Sequence, residues 1–181
     1  INDEEFSFIS RIAKERESFV NIPFVPNNVL PLTVAINKES KIVLMILLNY
    51  GANPLPIFND APSDIQSVFL EKLTVRFFNL IVERNIIEIK HYIESCAVLM
   101  QQKDSNGQTP LHVASSIDDK SILETLIQYE NNVDVTNDNN ESVLEFAVKN
   151  GYDTNVPVLL QKSTKVSPNL YKLAAANNHI S

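Results

Sequence analysis

The residues most able to do chemistry are Thr109 and His112, three apart in Thr109-Pro110-Leu111-His112, with His91, Cys96 and an acidic stretch on either side. A hydroxyl beside an imidazole is a nucleophile and a base in outline. His91 precedes Cys96 by five residues, a spacing that does not stack the two side chains on a helix. The neighbours of Cys96 are Glu94, Ser95, Ala97 and Val98, none of which supplies the positive surroundings that a thiolate needs. Asp134, Thr136, Asp138, Asn140, Ser142 and Glu145 fall at the intervals of a calcium loop, but Asn139 stands where that loop turns on glycine. No two histidines have metal-ligand spacing, and one cysteine cannot complete a thiolate zinc site. No Gly-rich phosphate loop or nucleophile elbow is present either. The sequence therefore predicts no catalytic residues, no metal and no cofactor.

Composition narrows the field further. The chain has 181 residues, 44% hydrophobic and 20% charged, enough apolar material for a real core. Its formal charge is -7, with acids and bases interspersed, so nucleic acid and anionic membrane are poor partners. The longest apolar run, residues 42–48, falls far short of the roughly 20 residues that span a bilayer. A single cysteine fits a reducing, cytoplasmic compartment. The chain opens at Ile1 rather than Met, so a fragment of a longer protein is expected.

A reactive site should be unique, whereas this stretch recurs. An offset of 33 places Leu111 on Leu144, Ala114 on Ala147, Leu126 on Leu159 and Ile127 on Leu160. An offset of 79 pairs Pro31 with Pro110, Leu32 with Leu111, Ala35 with Ala114 and Leu47 with Leu126. "RNIIEIKHYIESCA" reads as the second half of another copy, and "LYKLAAANNHI" as a last partial one. The glycines Gly51, Gly107 and Gly151 stand where such units must turn. Thr109 reads as an N-cap with Pro110 at the first helical position, and Leu111, Ile122, Leu123, Leu126 and Ile127 form an apolar stripe at helical spacing.

"DSNGQTPLHVAS" and "LLNYGANP" resemble the beginning and end of an ankyrin repeat. The resemblance covers about residues 25–181 and implies an all-α solenoid of stacked helix-turn-helix units with short hairpin fingers. It also implies that His112 bonds within its own repeat. Residues 1–24 are expected to form a capping helix or degenerate repeat, with Phe6, Ile9, Ile12 and Phe19 on its apolar side. Residues 55–74 read as an insertion, whose helix starts near Ser63 or Asp64 and runs to about Lys72. Pro157 should delay the start of one second helix to Asn155 or Val156. The last repeat is read as truncated.

For function the resemblance implies a monomeric protein-protein interaction module that binds a protein partner through finger tips and a concave groove. The finger tips are Ser105, Asn106, Gln108, Asp138, Asn139 and Glu141. First-helix ends at Asn37, Lys38, Val82, Glu83, Ser116, Ile117, Lys149 and Asn150 would line the groove, and Tyr50 and Tyr129 would serve as rim anchors. Asp104, Asp138 and Glu141 outnumber Lys103 on the fingers, which favours a basic or polar partner segment. The alternatives are the targeting region of a larger enzyme or bacterial effector, acting in the host cytoplasm if secreted, and a structural spacer. An Asn-, Ile- and Lys-rich composition resembles that of intracellular bacteria with AT-rich genomes.

Overall fold

The computed structural model describes residues 20–23, 29–130, 132–165, 168, 170, 172 and 173. The expected N-terminal helix and the truncated last repeat lie almost wholly outside these residues. The chain divides into two compact units, Ile1–Lys72 and Leu73–Ser181.

In the first unit, α1 (Pro31–Asn37) packs against α2 (Lys41–Asn49). Extended backbone at Leu30 followed by Pro31 starts α1, because proline's fixed φ suits the first helical position and its missing N–H costs nothing there. Leu32, Ala35, Leu44 and Leu47 are buried between the pair. Asn21 ties down the end of α2, its amide donating to the Gly51 carbonyl at 3.0 Å and accepting from the Asn53 N–H at 2.6 Å. A 3-10 turn at Leu55–Ile57 follows.

The next helix, α3, runs unbroken from Ser63 to Val82. Its start agrees with the sequence reading, but its end corrects it: the expected short helix to Lys72 and the first helix of the following repeat are one. Elsewhere a first helix opens on a start signal, Pro31, Pro110 or the capping Ser142. At the corresponding place α3 has Val75 and Arg76, and neither interrupts helical hydrogen bonding. Ile65, Phe69, Leu73 and Phe77, four apart, keep one buried stripe along the helix.

The second unit continues with α4 (Ile86–Ser95), a 3-10 turn (Ala97–Gln101), α5 (Pro110–Ser115), α6 (Lys120–Ile127), α7 (Val143–Asn150) and α8 (Val156–Lys162). Helix α5 packs on α6 and α7, α7 on α8, and α4 on α6. Ala114 and Ala147 are fully buried, as close helix approach requires. Pro157 sits in the first turn of α8 behind the N-cap Asn155, as its rigid ring demands. Among the described residues there is no strand: the fingers are turns, with one antiparallel bridge between Thr136 and Ser142.

Turns between paired helices take left-handed backbone at Gly151 (φ 73°), and also at Glu39 (φ 52°) and Arg84 (φ 60°). A Cβ at such φ costs about 1–2 kcal/mol, which glycine avoids at some loss of unfolded-state entropy. Glu39→Gly and Arg84→Gly are each expected to stabilise the fold by about 0.5–1 kcal/mol. Thermal or urea unfolding would read this, and a loss of stability would mean that the side chain holds something the turn needs.

Candidate functional site

Two turns in the second unit are built to one plan. At Asp104 the carboxylate Oδ1 accepts the N–H groups of Asn106 (2.9 Å) and Gln108 (2.8 Å), while the Asp104 N–H donates to the Gln108 carbonyl. Asn137, 33 residues later, accepts from Asn139 (3.0 Å) and Glu141 (2.9 Å), and its N–H donates to the Glu141 carbonyl. Gly107 (φ 72°) and Asn140 (φ 58°) occupy equivalent left-handed positions, which Asn tolerates better than most residues. Each turn thus spends a short polar side chain on its own backbone, fixing the finger without a strand.

The fingers are also locked to each other. The Asp138 N–H donates to the Gly107 carbonyl at 3.1 Å, and the buried Asn137 amide donates to Gln108 Oε1 at 3.2 Å and Glu141 Oε2 at 2.9 Å. Lys103 pairs with Asp138 at 2.6 Å and Lys149 with Glu141 at 2.5 Å. A Cβ added at Gly107 would run into the Asp138 side chain, so glycine is required there by space as well as by φ.

His112 is the deepest member of this assembly, with no exposed surface. Its Nδ1 lies 2.7 Å from the Thr109 hydroxyl and its Nε2 lies 3.0 Å from the Glu141 carbonyl. A carbonyl only accepts, so Nε2 carries the proton and Nδ1 accepts from Thr109. This corrects the expectation of bonding within one repeat, because the second bond reaches the next finger. Thr109 has N-cap geometry, but its hydroxyl serves His112 instead of the helix N–H groups. In α7 the same positions hold Ser142 and Glu145, which form a reciprocal capping box.

Burial lowers the pKa of His112, opposed by its bond to the Glu141 carbonyl and by the Glu141 charge. The folded state therefore prefers neutral imidazole, and the unfolded chain takes up a proton first as pH falls through the ordinary value of 6.5. Stability from this residue is complete above that pH and declines below it. Glu141 is held below its ordinary value by Lys149 and Asn137, so its contribution survives to lower pH. Urea midpoints should fall between about pH 6.5 and pH 5 in the native chain and stay level in His112→Ala. A flat native profile would mean that the folded state accommodates the imidazolium.

The other residues with chemical promise are occupied. Cys96 is buried and its pKa is raised, chiefly by desolvation, which keeps it a thiol. The Asp134 carboxylate holds the hydroxyl (2.5 Å) and N–H (3.0 Å) of Thr164, Asp138 holds Lys103, and Ser142 and Glu145 cap each other. These contacts account for most of the calcium-like spacing. Among the described residues no three His, Cys, Asp or Glu side chains are grouped to hold a metal, and no helix is long and apolar enough to cross a membrane.

The residues proposed from sequence divide accordingly. Gln108, Asp138, Glu141 and Lys149 come together, with Ser105, Asn106 and Asn139 exposed beside them. The Ser116 hydroxyl bonds the Val113 carbonyl, and the Ile117 carbonyl accepts the Asn155 amide at 2.7 Å. The Asn150 amide returns to Phe146 in its own helix. Tyr129 donates its phenol to Glu94 at 2.9 Å, joining the ends of α4 and α6, and Tyr50 lies in the first unit as the C-cap of α2. Sequence reasoning missed Asn137 and Asn155. The first could have been found by adding the 33-residue offset to Asp104; the second stands at the place of a core isoleucine, Ile122, and gave no such signal.

A family model described as ankyrin repeats, in three copies, matches residues 79–171. A probable serine/threonine-protein kinase of Dictyostelium discoideum is 40% identical over 60 residues, 33% of this chain and 7% of that protein.

Proposed function

The chain belongs to the ankyrin-repeat family, and on that premise we propose that it binds a protein partner through the two locked fingers and the adjoining ends of α5 and α7. The observation carrying this reading is the double lock at His112 and Asn137, which holds two exposed finger tips in one geometry before any partner arrives. Ordering cost is then already met in the free chain, which is what favours tight binding by loops. Tyr129 is a tie between helices in this reading rather than an anchor. The ankyrin framework supplies a binding surface and no reaction of its own.

The test is to identify proteins retained by the immobilised chain, purify one, and titrate it against the native form and Asn106→Arg/Asn139→Arg. Both residues are exposed, so the fold should melt unchanged while affinity drops about tenfold or more. Unchanged affinity would move the docking site elsewhere, and residues 55–74 would be examined next. Asp138 and Glu141 are poor targets, because reversing them breaks the finger lock itself.

A second reading follows from the kinase relative, of which the matching segment is a small fraction. In that reading the repeats select substrates for a catalytic domain elsewhere in the same polypeptide. Sequencing the gene on both sides would decide it.

A further inference from the structure

Counting residues by sign suggests an acidic finger face, but the side chains are already committed. Asp104 accepts two backbone N–H groups within its own turn, Asp138 is paired with Lys103, and Glu141 with Lys149 and Asn137. Three carboxylates and two ammonium groups leave a net charge of -1 spread over both fingers. What projects beyond them is different. Ser105, Asn106, Asn139 and Asn140 are exposed, and their side chains have no hydrogen-bond partner among the described residues. Three of the four are primary amides, each offering a donor pair and an acceptor in the pattern of a peptide group.

We infer that the finger face recognises an uncharged polar peptide segment, through amide-to-backbone hydrogen bonds rather than through ion pairs; this rests on the docking surface proposed above. A basic segment would meet carboxylates that Lys103 and Lys149 already hold, and an acidic segment would meet a slightly negative face. An extended neutral peptide presents alternating N–H and C=O groups, which the Asn106, Asn139 and Asn140 side chains match without displacing any existing bond. Opposite charges approaching such a face gain little at long range, so affinity should be nearly indifferent to salt.

The experiment uses the full chain and a phage-displayed library of short random peptides, selected in parallel at about 50 mM and about 500 mM NaCl. Each selection is repeated on Asn106→Arg/Asn139→Arg. The expected result is enrichment of the same Ser-, Thr-, Asn- and Gln-rich peptides at both salt concentrations, lost on the variant. Synthetic versions of those peptides should change affinity less than about threefold across that salt range. Enrichment of Lys/Arg-rich or Asp/Glu-rich peptides that vanish at high salt and on the variant would overturn the inference while leaving the docking surface intact. Enrichment that the variant retains, or none at either salt concentration, would overturn both.

Discussion

Leu126→Ala is expected to lower the free energy of unfolding by about 2–5 kcal/mol, the range for deleting most of a buried leucine without collapse of the space it leaves. Leu126 has no exposed surface and lies on α6, which packs against both α5 and α4. Ile122 and Leu123 on the same face are equally buried, so little can move in to fill the cavity. The loss should extend past one helix pair, because each repeat is stable only against its neighbours. Leu160→Ala is the internal control: Leu160 occupies the place of Ile127 one repeat later, but is 47% exposed. Its truncation should cost less than about 1 kcal/mol. Urea unfolding of both variants reads the difference directly. Equal midpoints would mean that α6 does not face the core as described. Leu126→Met, which keeps the volume, should recover most of the stability.

How far the sequence could be read depended on whether a structural role was carried by residue type. The helix pairs around Pro110 and Pro157 were legible, since proline can stand only at a few helical positions. So was the plan of the first finger, where an Asp, a Gly and a Thr-Pro step each leave a local signal. The fusion within α3 was not, because the degenerate repeat there has lost its Pro or N-cap, and continuity is signalled only by the lack of an interruption. The reach of His112 was hidden for another reason: its acceptor is a backbone carbonyl, which any residue at position 141 would provide. The pairing of the finger charges was hidden as well, because signs summed along the sequence carry no contacts. Lys103 and Asp138 are 35 residues apart, and the fold alone brings them to 2.6 Å. What the sequence conveys best is the repeating unit; what it conveys least is how one unit grips the next.

His112→Ala tests that grip, and it is expected to destabilise the chain by about 2–4 kcal/mol while loosening the second finger more than the first. Three effects add. The imidazole leaves a cavity at a fully buried position, beside the Phe146 ring whose centroid is 5.4 Å away. The hydroxyl of Thr109, a residue only 6% exposed, loses its partner, and the Glu141 carbonyl loses one of two donors. A buried polar group left unsatisfied costs about 1–3 kcal/mol, against about 1 kcal/mol for an ordinary hydrogen bond. Amide hydrogen exchange separates this role from a purely local one. The N–H groups of Asn137, Asn139 and Glu141, which close the second turn, should exchange faster in the variant, whereas those of Asn106 and Gln108 depend on Asp104 and should change less. Loss of protection confined to the first turn would return His112 to its own repeat. If instead the second finger loosens, binding by the exposed amides should weaken with it, because Asn139 and Asn140 belong to the turn that His112 holds.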